Sequence, residues 1–330
     1  MLNAHNVLQS AFQADFGTAV TTSTVKLQNV SDFKLRPEFQ TRALNQLRGT
    51  LAPTHQTTLD HYLSSATFEV SDESYEDINY WLEMLFGEDA SVTGASAPYT
   101  REYVAPLTTA PTPHFATLKY GQTGGVYIMP DASVVSLTLS GSNNTGVQVG
   151  GSILGGVVTS GTITAGLSDR TAVTRMSGCS ASAAVETWTG STYTALDASA
   201  FSWELTINSN RDYRGYLGDC SPTAYSDQKW NGQMRLSLEF NTSTDDYLNT
   251  MLAATNAILE KQIRIVYTTG SSATLRSLTI TFAGHTMSAP EIFQDKNGIM
   301  TYDLVLDGVY NSTLGNWLTI ETKCATAILA

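Results

Sequence analysis

Two carboxylate pairs, Glu76-Asp77 and Asp245-Asp246, are the residues in this chain whose type and spacing could do chemistry. Acids held together in a cleft divide acid and base roles when their pKa values are driven apart. Both pairs, however, open amphipathic segments, behind Ser74 in one case and beside Thr244 in the other. There a hydroxyl cap and early carboxylates suit a helix N-terminus and its dipole. Capping therefore explains them without a cleft. His5, His55, His61, His114 and His285 show no metal-binding spacing, and Cys179, Cys220 and Cys324 are odd in number, far apart and lack a CxxC pair. The stretch Gly150-Gly-Ser-Ile-Leu-Gly-Gly156 has the glycines of a phosphate loop but neither the lysine nor a helical pattern after it. No catalytic, metal or cofactor site is expected, and the chain reads as a protein that is not an enzyme.

The elements themselves are written twice. GTLAPT (Gly49 to Thr54) returns as GDCSPT (Gly218 to Thr223), and the flanks agree. Upstream, Phe33 and Leu35 alternate with Asp32, Lys34 and Arg36, as Phe201, Trp203, Leu205 and Ile207 alternate with Ser202, Glu204 and Thr206. Downstream come Ala66–Val70 and Met234–Phe240, with Glu69 and Glu239 in equivalent slots. Each is followed by a short amphipathic helix, one carrying Ile78, Trp81, Leu82 and Leu85 on a single face, the other Tyr247, Leu248, Met251 and Leu252. Ser136–Gly141 then echoes Ser277–Gly284. The first copy holds extra residues at about 88–120, a Pro-rich excursion. These boundaries give an N-terminal arm at 1–24, a first domain at 25–168 and a second at 169–330.

With 330 residues, 42% hydrophobic and only 15% charged, the chain has the Ser, Thr, Asn and Gly balance of a mainly β protein large enough for two cores. Its net charge of −12 argues against tight binding of a polyanion, since affinity for DNA comes chiefly from Lys and Arg at phosphates. No apolar run of membrane or signal length occurs, so folding in the cytoplasm is expected. Phe33, Leu35, Phe68, Val70, Phe201, Trp203, Leu205, Leu236, Leu238 and Phe240 are assigned to the core. The opposite faces carry Lys34, Thr67, Glu69, Ser136 and Thr138 in the first copy, and Ser202, Glu204, Thr206, Arg235, Ser237, Glu239, Thr279 and Thr281 in the second. In a monomer they form a solvated sheet face; in a ring they line a hole.

The opening AFQADFGTAVTTSTVKL, the order of strand, long loop, strand and helix around Arg48-Gly49, and the WELTINSNRDYRGYLG and LSLEFNTSTDDYLNTML runs resemble the tail tube proteins of long-tailed, siphovirus-like bacteriophages. The resemblance spans most of the chain and lies in order and duplication. It implies two tandem tube domains, each a β-sandwich whose sheet joins a barrel, flanked by one short helix. It also implies a virion subunit whose rings stack into a hollow conduit for DNA ejection. Six domains per ring, as in single-domain members, implies a homotrimer here. The implied partners are the chain itself, tape measure, terminator and tip proteins, and double-stranded DNA that passes without tight binding; no membrane is implied. The long loops at 42–65 and 211–233, with Arg48, Gly49, Pro53, His55, Gly218, Pro222 and Trp230, are assigned to contacts between rings, and the arm and the tail from Lys323 to neighbouring subunits. A duplicated carbohydrate-binding or adhesin module shares the acidity and the Ser/Thr content, and would instead show an aromatic cluster around a pocket.

Overall fold

The computed structural model describes residues 6–44, 56–88, 92–94, 96–122, 124–142, 145–170, 173–178, 184–195, 200–241, 260–286, 294–296 and 298–326, with backbone alone at 40, 42–44, 56–61, 295 and 296. In the first half the strands are β1 (Val7–Phe12), β2 (Val25–Lys26), β3 (Val30–Leu44), β4 (Gln56–Val70), β5 (Tyr99–Val104), β6 (Ala116–Gln122), β7 (Gly125–Ser142), β8 (Thr145–Gly155) and β9 (Thr159–Gly161). Helix α1 (Ile78–Phe86) lies between β4 and β5. The second half holds β10 (Ala184–Trp188), β11 (Tyr193–Ala195), β12 (Ala200–Asn208), β13 (Asp212–Arg214), β14 (Ala224–Ser226), β15 (Asn231–Glu239), β16 (Glu260–Thr269), β17 (Arg276–His285), β18 (Gln294–Lys296), β19 (Ile299–Gly308) and β20 (Leu318–Cys324).

All pairings are antiparallel, and their order recurs. In the first half β2 pairs β1, β1 pairs β6, β6 pairs β7 and β7 pairs β9, while β3 pairs β4, β4 pairs β8 and β8 pairs β7. In the second half β11, β10, β16, β17 and β20 follow the first order, and β12, β15, β19 and β17 the second. Among the described residues two strand pairings join the halves. Strand β7 takes β12 at its free edge, Ser142 opposite Ser202 through Ser136 opposite Asn208. Strand β5, from the Pro-rich excursion, takes the edge of β20.

The first joint makes one sheet of order β3-β4-β8-β7-β12-β15-β19. Its inner side carries Phe33, Phe68, Leu137, Leu139, Trp203, Leu205, Leu236 and Leu304, all buried. In the second half the layer opposite is β10-β16-β17-β20, from which Ile263, Ile265, Leu278, Ile280, Phe282 and Ile320 meet it. The Trp203 indole donates to the Tyr267 hydroxyl at 2.9 Å across this core, giving the buried N–H the partner it needs. In the first half α1 packs between that inner side and β1. All nine of its residues are buried, with Trp81 stacked on Phe68 at 3.9 Å and Tyr80 on Phe12 at 4.2 Å. A helix apolar on one stripe alone would leave Asn79 and Glu83 exposed; here they bond Tyr103, Thr322 and His114 instead.

Several expectations change. Residues 7–12 of the expected arm are a strand of this chain's own sheet, with Leu8 and Ala11 buried. Phe16 packs on Phe115 and Tyr213, and the Gly17 amide donates to Asp131 at 2.7 Å. The arm was illegible because its buried polar side chains look solvent-facing in sequence: Gln9 exchanges two hydrogen bonds with Thr164, and Ser10 bonds Tyr80. Likewise Lys323 and Cys324 belong to β20, and Arg101 donates to the Thr326 carbonyl at 2.9 Å, so the tail through 326 is docked on its own core. Leu35, Phe201 and Phe240 are half-buried. The expected second helix over Tyr247–Leu252 lies outside the described residues, as do Asp245-Asp246 and Cys179. Deleting residues 1–24 is accordingly expected to cost folding stability as well as assembly, and Leu8→Ala alone about 2–5 kcal/mol. Thermal unfolding monitored by circular dichroism checks this, and an unchanged midpoint for the deletion would return the arm to a neighbour.

Candidate functional site

The outer side of the seven-stranded sheet brings most of the sequence-predicted face together. Register aligns its side chains in rows across the strands. Lys34, Thr67, Ser152, Ser136, Asn208 and Asn231 form one; Asp32, Glu69, Gly150, Thr138, Thr206, Gln233 and Asp307 the next. Beyond them lie Gln148, Ser140, Glu204 and Arg235, then Ser142, Ser202, Ser237 and Asp303. Glu239 continues the outer side of β15 past Ser237. Rows of this kind follow from the period of two, which sends every second side chain to the same face.

Hydrogen bonds run along the rows. Ser152 donates to Ser136 at 3.1 Å, Asn208 to Asn231 at 3.0 Å and Gln233 to Asp307 at 2.8 Å. Two of its cations are matched by carboxylates: Lys34 lies 2.5 Å from Asp32, and Arg235 lies 2.5 Å from Asp303 and directly across from Glu204. The hydrogen bond and charge of Asp32 push the Lys34 pKa up, which keeps the ammonium charged and paired. Asp32, Glu69, Glu204, Glu239, Asp303 and Asp307 stand on this face against Lys34, Arg36 and Arg235. The surface is thus hydroxyl-rich and net acidic, with Lys34 and Arg235 paired in place. It holds a shallow hollow lined by Ser140, Gln148, Ser202, Glu204, Arg235 and the largely buried Trp203, and among the described residues no group of His, Cys, Asp and Glu could hold a metal ion.

Thr279 and Thr281 are not part of it. They lie on β17 in the other layer, between β16 and β20. By pairing, Ser277–Gly284 corresponds to Val126–Ser133 of β7 and not to Ser136–Gly141, because both segments run beside a preceding hairpin partner, β16 and β6, before reaching the polar sheet. The similar Ser-Leu-Thr tripeptides concealed that shift.

The predicted loop contacts divide similarly. Arg48, Gly49, Pro53 and His55 lie outside the described residues. Gly218 is exposed at the tip of the β13–β14 hairpin, whereas Pro222 is buried and Trp230 is 7% exposed, packed on Phe86 at 5.2 Å. Trp230 therefore belongs to the core. Arg211, missed in the sequence, anchors the hairpin: buried, it pairs with Asp227 at 2.6 Å and donates to the Leu85 carbonyl at 3.2 Å, satisfying the C-terminal end of α1.

Glu76 and Asp77 sit in the turn before α1, where Ser74 accepts the Asp77 amide. Asp77 stands at the N-cap of α1, but its carboxylate makes no capping hydrogen bond, and both acids serve ion pairs instead. Glu76 pairs with Arg276 at 3.0 Å and Asp77 with Arg170 at 2.7 Å, so the turn is bound to the second half and to the connecting segment. Beside them Glu73 is fully buried, and burial, reinforced by the Asp77 charge, pushes its pKa from 4.5 to about 8. A carboxyl raised on folding holds its proton more tightly in the native state. Its contribution is complete below pH 4.5 and is lost as pH rises through 8. Stability is expected to fall across that window, and Glu73→Gln to flatten the fall; a wild-type melting profile equally flat would contradict the assignment.

Comparison with known families follows this geometry. The family model described as phage tail tube protein matches residues 4–308. No curated relative matches the chain.

Proposed function

Because the chain belongs to the phage tail tube protein family, a structural family of the virion whose members assemble into a tube, we propose that its polar sheet face lines the channel through which DNA leaves the capsid. The observation that carries this reading is the continuous seven-stranded face on which carboxylates outnumber cations and hold Lys34 and Arg235. A wall that must pass a polyanion without retaining it needs few free cations, since phosphate contacts dominate affinity and slow transit.

The recurrence of one pairing order in both halves supports two tandem tube domains. Inside the chain, β7 of one half accepts β12 of the other. Strand β3 is the counterpart of β12, and among the described residues it pairs with β4 alone. The same joint made between chains pairs that edge and closes a ring. Six halves per ring make a homotrimer with pseudo-sixfold symmetry, and three such sheets give about 21 strands, beyond the 16–18 at which a barrel already leaves an aqueous channel. The Pro-rich excursion, carried on β5 in the layer away from the polar face, then lies outside the ring three times. Tape measure, terminator and tip proteins are the proposed further partners, with assembly in the host cytoplasm.

Replacing Glu69, Glu204 and Glu239 together with Lys tests the channel. Tubes should still assemble, because these side chains leave the core untouched, and DNA release from particles should slow. Thr279→Lys with Thr281→Lys, on the other layer, should leave release unchanged. Equal release kinetics in all three proteins would refute the assignment of this face.

A further inference from the structure

At the end of the molecule where β12 leaves the sheet, two projections stand together. The β3–β4 ribbon continues past Ser64, the last residue of β4 to pair with β8, and carries Phe39 stacked on Tyr62 at 4.6 Å. The β13–β14 hairpin meets it where the Tyr62 amide donates to the Cys220 carbonyl at 2.8 Å. The hairpin's base is held by the Arg211–Asp227 pair, by the Tyr213 hydroxyl on the Asp131 carbonyl and Ser133, and by Tyr225 against Phe115. Its tip turns through Gly218 at φ 105°, with the Asp219 amide on the Tyr216 carbonyl. That turn presents Tyr216, 67% exposed, and Leu217, completely exposed. A rigid base that offers two large apolar side chains to solvent has the composition of a binding anchor.

The opposite end differs. There β15 finishes, the Phe240 amide bonds the Met300 carbonyl, and the start of β19, paired with β18, leaves Met300 58% and Ile299 39% exposed. One end thus carries an apolar knob and the other an apolar strand end with an adaptable methionine. We propose that Tyr216 and Leu217 of one chain seat on Ile299 and Met300 of a second copy, forming the axial contact by which one ring stacks on the next. This deepens the tube reading and rests on it. Contact between unlike ends is heterologous and does not close on itself, so it extends a filament of fixed polarity, while sheet edges remain available for joining subunits sideways.

Tyr216→Ser with Leu217→Ser tests the anchor, since neither side chain supports the hairpin base. The variant should unfold at the wild-type temperature and give isolated rings by negative-stain microscopy where the wild type gives tubes. Normal tubes from the variant would overturn the proposal, as would a folded variant that forms no rings. Cys220, exposed beside the tip, supplies a measurement independent of that variant's folding. Met300→Cys tubes treated with a short bismaleimide should give a ladder of cross-linked chains that Met300→Ser tubes do not; no ladder in assembled tubes would likewise overturn it. Failure of the wild type to form either rings or tubes would count against the tube reading itself, and so is told apart from failure of the anchor.

Discussion

An open antiparallel sheet has two edges whose backbone groups must be paired, covered or wetted, and this requirement organises the molecule. The joint between β7 and β12 satisfies one such edge within the chain, joining four strands of the first half to three of the second in one sheet with a shared polar side. The joint from β5 to β20 does the same in the layer behind. At the outer limit, β3 pairs only with β4 among the described residues, although it is a long strand with Phe33 buried and Lys34 and Arg36 exposed. An edge of that length on a monomer invites association. In the proposed ring it is the edge that the next chain pairs.

Behind the polar sheet each half carries a second set of strands in the same pairing order, β2-β1-β6-β7-β9 in the first and β11-β10-β16-β17-β20 in the second. Trp203 and Tyr267 meet across the core of the second half, and in the first the wholly buried helix α1 stacks through Trp81 on Phe68. Burying that helix requires its polar groups to be answered, and the answers come from far along the chain: Arg276 to Glu76, Arg170 to Asp77 and Arg211 to Leu85. Removing one partner from such a pair strands a charge away from water, which costs about 3–5 kcal/mol. The two halves are consequently locked by charge at both ends of α1, in addition to the strand joints. A rigid unit suits a wall that must keep its polar face aligned under passage of a long polymer.

The strands of the polar sheet were legible because a period of two needs only apolar and polar residues in turn, and Phe33 to Arg36 or Trp203 to Thr206 display it plainly. Helix α1 was legible from Ile78, Trp81, Leu82 and Leu85. What escaped notice depends on partners distant in sequence. Gln9 and Ser10 read as solvated until Thr164 and Tyr80 are placed beside them. Arg211 and Trp230 read as loop residues until α1 is placed beneath them. Thr279 and Thr281 alternate as a channel strand does, and only the pairing with β16 and β20 shows which layer holds them. Local pattern fixes which side of a strand is polar; it does not fix which sheet the strand joins.

The central claim is that the continuous polar face, repeated around a ring by two equivalent halves, is the wall of the channel. Reconstruction of assembled tubes by cryo-microscopy tests it most directly. The account predicts three chains per ring showing six similar lobes, with Glu69, Thr138, Glu204 and Arg235 pointing into the lumen and β3 of each chain paired to the next. Six chains per ring, or that face turned outward with β17 lining the hole, would contradict it.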